Sequence, residues 1–204
     1  MTRIALDPPR RAGLRTRIVY WFVRRGMARA TGRVSERVTQ PLEAYAHLPG
    51  VFRAYVGLER ATAGLHGLDP RLHALAELKA ATLTRCAYCI DLGSAIARRW
   101  GLTDAELLAL PEHRSSPLFS ELDTLVLDYA VAMSSTPADV SDDLVESLRR
   151  RLGDARLVEL THHIALENMR GRFNVALGIG SAGLSDGMVC AVPVRPPCAE
   201  EASS

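Results

Sequence analysis

Lysine is all but missing from this chain: of 25 basic residues only Lys79 is a lysine, a usage that points to a GC-rich coding bias more than to a demand for guanidinium groups. Long apolar runs are missing too. The longest compact one, Ile18 to Val23, falls far short of the roughly 18 residues a spanning helix needs. Arg24 and Arg25 close it and no small-residue cleavage pattern follows, so neither a membrane span nor a secretory signal is expected. Four cysteines in 204 residues are too few for a disulfide framework, and two of them, Cys190 and Cys198, fall in a Pro-rich, Ser-ended tail. A reducing, cytoplasmic setting is therefore expected. No alternating strand pattern, regular repeat or phosphate-cradling glycine loop is present; Gly178, Gly180 and Gly183 follow a helical stretch instead of opening one.

What remains is helical periodicity. Apolar residues make up 48% of the chain and charged ones 24%, enough for one sizeable core. Asp69 and Pro70 read as N-cap and first turn of a helix carrying Leu72, Leu75, Ala76, Leu78, Lys79 and Leu83 at helical spacing. Thr103 with Glu106 forms a capping box, Ser141 caps another helix, and a long one runs from Asp154 to about Gly178. Further helices are expected over 13–30, 34–47, 51–65 and 118–133. The fold class is all-α, with seven to nine helices and three parts: a basic N-terminal lead and helix (1–33), a helical domain (34–187) and a flexible tail (188–204).

Charge is unevenly placed. Residues 1–37 hold ten arginines against Asp7 and Glu36, a net of +8, which leaves −6 for the rest. Residues 1–10 read as a disordered lead, and the basic helix after them carries Trp21 and Phe22. Docking of that helix onto the domain or a sister subunit is expected; contact with an anionic membrane surface is the lesser reading, and nucleic acid is not an expected partner.

Chemistry is concentrated in one stretch, Arg85-Cys86-Ala87-Tyr88-Cys89-Ile90-Asp91-Leu92-Gly93-Ser94. A Cys-x-x-Cys pair on a helix puts both sulfurs on one face, close enough to close and reopen as a disulfide. A helix N-terminus and Arg85 favour a thiolate there. Two other readings stay open at this point: buried core cysteines, and half of a zinc site. The zinc reading needs two more ligands, and the adjacent His162 and His163 would point about 100° apart on a helix. His66 and His73 read as surface or cap residues, and Arg172 and Asn174 as helix-to-helix hydrogen-bonding groups.

The segment from Asp69 to Leu110, with its Cys-x-x-Cys and its Gly101-Leu102-Thr103-Asp104-Ala105-Glu106 turn, resembles the carboxymuconolactone decarboxylase and alkylhydroperoxidase-D-like family. The run from Ile164 to Gly180, with Arg172-Phe173-Asn174 inside it, is similar to the closing helix of one branch. The resemblance implies an alkylhydroperoxidase-D-like fold and a thiol oxidoreductase, in which Cys89 attacks a hydroperoxide or disulfide, Cys86 resolves it, and an external dithiol restores the pair. It implies a homo-oligomer and no metal or nucleotide cofactor. The decarboxylase chemistry of the family name would leave the cysteines without a purpose.

The family's proton-relay positions are altered. Its histidine after the second cysteine falls on Gly93, the one sometimes found just before it on Tyr88, and its upstream glutamate on Ala74. Glu77, one turn on from position 74, and Asp91 are the expected substitutes; a buried salt bridge and a solvated position are their respective bland alternatives. The other class of function left open is a non-catalytic oligomeric module that binds a small apolar ligand or a protein partner.

Overall fold

A computed structural model describes residues 2–6 and 13–193. Among these, every regular element is a helix: α1 (Leu14–Thr31), α2 (Gln40–Tyr45), α3 (Pro49–Thr62), α4 (Pro70–Thr84), α5 (Ala87–Ala97), α6 (Asp104–Ala109), α7 (Glu121–Ser134), α8 (Asp142–Leu152) and α9 (Asp154–Leu177). Two short 3₁₀ turns, Arg37–Thr39 and Arg98–Trp100, complete them. None of these helices is long and apolar enough to cross a membrane.

The start signals act as the sequence predicts. Asp69 Oδ1 accepts the Arg71 N–H at 2.8 Å, and the Thr103–Glu106 capping box is closed in both directions. One start shifts: α7 begins at Glu121, because Ser120 and Asp123 form a second capping box. The helix expected over 34–47 breaks into a 3₁₀ turn and α2. Pro41 has no N–H to give to the carbonyl of Arg37, so the turn closes through Gln40 instead.

Helix α4 is the axis of the domain and packs against α5, α7 and α9. Small residues make this possible: Ala74, Ala76, Ala80 and Ala81 are all buried and let neighbours approach on opposite sides. One side feeds a core of Leu75, Leu78, Leu107, Leu110 and Leu127 that includes both motif cysteines. The other feeds a core of Leu72, Val126, Leu148, Leu160 and Ile164. A third, smaller cluster joins Tyr20 of α1 to Leu42 and Phe52, so α1 docks on the domain through that face. Its other face leaves Leu14, Ile18, Trp21 and Phe22 exposed.

Described residues near both ends are more closely held than the sequence predicts. Arg3 donates its backbone N–H to Leu177 at 2.8 Å, and Ala5 O meets His47 Nε2 at 2.7 Å. Residues 7–10 of the expected disordered lead lie outside the described residues. At the other end Ser185 and Ala191 are buried, and the Ala191 N–H reaches Ser94 Oγ at 3.0 Å. The packed chain therefore runs beyond residue 187. The rest of the expected flexible tail, from 194 and with Cys198, lies outside the described residues.

Candidate functional site

Chain geometry creates the site where α4 hands over to α5. Arg85 ends α4 in the left-handed region at φ 55°, and Cys86 is the N-cap of α5, its sulfur accepting the Cys89 N–H at 3.1 Å. The two cysteines are joined as a disulfide, with Cα atoms 5.2 Å apart. Cys86 is fully buried, whereas Cys89 lies in the wall of a cavity of about 760 Å³. Gly171 lets α9 come close against Thr84, where any side chain would strike the threonine. That approach brings Asn174, one of the residues read from sequence as a helix-to-helix group, to 3.6 Å from both sulfurs through Nδ2. Arg172 does bind between helices, donating to Ser134 O of α7 and to Thr136 Oγ1 just beyond it, and it also holds Asn168 on its own helix.

Glu77 reaches the same cavity. Its Oε1 lies 3.1 Å from His73 Nε2, 3.3 Å from His163 Nδ1 and 3.1 Å from Arg170 Nη1. Burial opposes its charge, yet hydrogen bonding from His163 and His73 and the Arg170 guanidinium hold its carboxyl well below the usual carboxylate range. Arg170 also grips Glu59 with two hydrogen bonds, at 2.9 and 2.6 Å, and Glu167 with one at 3.2 Å. Burial pushes the Glu167 carboxyl up to about 8, against the pull of Arg170 and with the charges of Glu77 and Glu59 adding to it.

The structure thus brings Cys89 and Glu77 to one space, with Cys86 bonded behind Cys89, and leaves Asp91 out of it. Asp91 is buried rather than solvated. Its carboxylate accepts the backbone N–H groups of Leu184 and Ser185 at 3.1 and 2.6 Å and pins the segment after α9 to α5. Ala74 and Gly93, where the family places a glutamate and a histidine, are both in the cavity wall, so the small residues enlarge the space beside Cys89.

Sequence reasoning missed three participants. His73 is half-buried rather than on the surface: it lies against Glu77 and packs at a tilt against His163, with ring centroids 3.6 Å apart. His162 and His163 do diverge, His162 turning to Thr62 Oγ1 at 2.8 Å. Glu167 and Arg170 carried one usable signal, their i, i+3, i+7 spacing with Asn174 on a single face of α9. His73, Glu77 and His163 are the metal-capable group among the described residues, with ligand atoms within 4.8 Å of one another. Arg170 already holds Glu77 Oε1, so a cation taking that oxygen would compete with its guanidinium.

The carboxymuconolactone decarboxylase family model matches residues 49–132. The protein YnjA of Escherichia coli is 37% identical over 163 residues, which is 78% of this chain and 85% of that one. Among solved structures, the alkylhydroperoxidase AhpD core of a peroxidase-related protein from Ralstonia eutropha superposes with a TM-score of 0.71 at 18% identity, covering 88% of this chain and 92% of its own. The debrominase Bmp8 gives 0.70 at 20% identity, covering 85% and 91%. At these identities the two structures establish the shared fold.

Proposed function

Starting from a chain that belongs to the carboxymuconolactone decarboxylase family, we propose that it is a thiol oxidoreductase of the Cys-x-x-Cys type acting on an organic hydroperoxide or a disulfide. One observation carries this reading: Cys89 opens onto a cavity while Cys86, its partner at disulfide distance, is sealed behind it. The sulfur of the cavity-lining cysteine attacks and the sealed one resolves.

With a hydroperoxide, the Cys89 thiolate takes the terminal oxygen, the O–O bond breaks, and the alkoxide leaves as an alcohol after gaining a proton. Cys86 then attacks the resulting sulfenic acid, forming the disulfide and releasing water. An external dithiol supplies the two electrons that reopen the pair. Several features favour the thiolate at Cys89: its place in the first turn of α5, and the Asn174 amide, which donates toward both sulfurs. Glu77, held ionised by its neighbours, positions a water in the cavity, and that water carries the proton. The fold supports more than one reaction, as the peroxidase-related and debrominase neighbours indicate by name; the reading here rests on this chain's own sulfurs.

The test is a peptide-mapped thiol count on reduced protein before and after one equivalent of cumene hydroperoxide. Rapid loss of the Cys86 and Cys89 thiols, with their disulfide in the map, is expected. Cys86→Ser should leave a dimedone-trappable sulfenic acid on Cys89. Thiols that react only after unfolding would overturn the proposal.

A further inference from the structure

The cavity has a second polar end, and its chemistry is one-sided. Glu59, Glu77 and Glu167 gather around the single guanidinium of Arg170. Two polar atoms of cavity-lining residues are buried and find no hydrogen-bond partner among the described groups, Glu167 Oε1 and Asn174 Oδ1. Both are acceptors. Glu167 is only 5% exposed, and a buried oxygen of this kind costs free energy until a donor reaches it. The two residues lie on one face of α9, seven positions and so about 10 Å apart along the helix. The remaining wall is largely apolar, with Val23 and Met27 from α1, Val56 from α3 and Ile96 from α5.

We propose that this cavity binds an apolar molecule carrying a cationic amine, with the ammonium donating to Glu167 Oε1 and the far end of the molecule at Cys89 and Asn174. The assignment deepens the thiol oxidoreductase reading by naming a substrate class; it depends on that reading only for which end reacts. Three carboxyl groups share the cavity wall with two guanidinium groups, those of Arg170 and Arg60, which leaves room for one more positive charge, and without a ligand Glu167 meets the excess by holding a proton. An ammonium takes the place of that proton, which passes to the solvent.

The charged and titratable groups facing Glu167 are Tyr55, Glu59 and Arg60 from α3, His73 and Glu77 from α4, Tyr88 from α5, and His163 and Arg170 from α9 itself. Arg60 and Arg170 are fixed cations, and Tyr55 and Tyr88 are held protonated by burial. Proton release at neutral pH is thus left to Glu167, His73 or His163, and its loss in Glu167→Gln is what assigns it to Glu167.

Isothermal titration of the oxidised protein, its disulfide closed so that no thiol chemistry occurs, with decylamine, decanol and decanoate tests the idea separately from the reaction. Decylamine should bind at least about tenfold more tightly than decanoate at pH 7. Its heat should vary with buffer ionisation enthalpy as one released proton requires, and its affinity should rise between pH 6 and 8. In Glu167→Gln the amine preference and the proton release should disappear together, while decanol binding stays within about threefold. Equal binding of amine and carboxylate by the wild type, no release of a proton, or failure of all three probes to bind would overturn the proposal, and none of these needs the variant to fold. Amine binding with no thiol reactivity in the reduced protein would instead fault the oxidoreductase reading alone.

Discussion

Glu77 and Lys79 sit two residues apart on α4, both ionisable and both inside the domain, and they have opposite fates. Two steps along a helix turn a side chain by about 200°, so Glu77 faces α9 and the cavity while Lys79 faces the loop between α6 and α7. Lys79 is almost fully buried. Its Nζ donates to Leu110 O at 2.7 Å and lies 3.2 Å from His113 Nδ1, and His113 Nε2 reaches Asp128 Oδ1 at 2.8 Å. Neither Lys79 nor His113 borders the cavity. Burial pushes Lys79 down to about 8, a shift as large as those often found at active sites, yet its donors are committed to the end of α6 and to a loop. A perturbed ionisable group becomes a candidate site only when a space for substrate reaches it; Glu77 has that space and Lys79 does not.

If this contrast holds, the two residues separate stability from chemistry. Lys79→Ala leaves a void, an unpartnered Leu110 carbonyl and an unpartnered His113, and should lower the unfolding free energy by about 3 kcal/mol. The folded fraction should react with hydroperoxide at nearly the wild-type rate. Urea denaturation and stopped-flow thiol oxidation on one preparation measure both quantities; a stable Lys79→Ala protein with slow thiols would reverse the assignment.

Glu77→Gln should do the opposite. Arg170 keeps Glu59 and Glu167 as partners, so the stability loss should be near 1 kcal/mol, whereas Cys89 oxidation should slow about 10- to 100-fold. Unchanged kinetics in a folded Glu77→Gln protein would reduce Glu77 to a salt-bridge residue.

How far this was legible in the sequence follows from the same pair. Helix order, most caps and the Cys-x-x-Cys position are local properties, carried by Asp69, Pro70, Thr103 and Ser141, and local signals survive folding. Glu77 was found because it lies three residues from an altered family position on the same helix face. Lys79 was read as one more position on an apolar stripe, since nothing local says that Leu110 and His113, more than thirty residues on, complete its hydrogen bonds. Glu167, His73 and the packing role of Asp91 were hidden for the same reason. Each is defined by groups on another helix or segment: Glu167 feels the charges of Glu59 and Glu77, His73 packs against His163, and Asp91 meets Leu184 and Ser185.

A smaller effect sharpens the comparison through pH. Lys79 releases its proton near 8 in the folded protein and near 10.5 when unfolded. Between these values the unfolded chain binds more protons, so stability should rise with pH from about 8 upward. The clean window ends near pH 10, where Tyr55 and Tyr88, pushed upward by burial, ionise more readily in the unfolded chain and begin to lower stability. Glu77 works at the other end: its folded value is depressed, so its contribution is complete above about 4.5 and is lost as the pH falls. Lys79→Met should flatten the slope between pH 8 and 10 and leave the acid limb alone, and Glu77→Gln the reverse, read from urea midpoints across pH.

The smallest effect concerns Leu78, the residue between the two. A Cβ at Gly93 would stand 2.9 Å from Leu78 Cδ2, with no backbone atom among its close neighbours. Gly93→Ala therefore asks only that the tip of a flexible side chain yield. The helix gains up to about 1 kcal/mol from replacing glycine, which offsets that adjustment, and the net change should stay within about 0.5 kcal/mol, with Cys89 as reactive as before. A loss above 1 kcal/mol in thermal or urea unfolding would mean that Leu78 cannot move, so that packing between α4 and α5 demands the glycine. A neutral result would mean that packing tolerates a side chain at position 93. The absence of the family's histidine beside Cys89 would then reflect the chemistry and contents of the cavity.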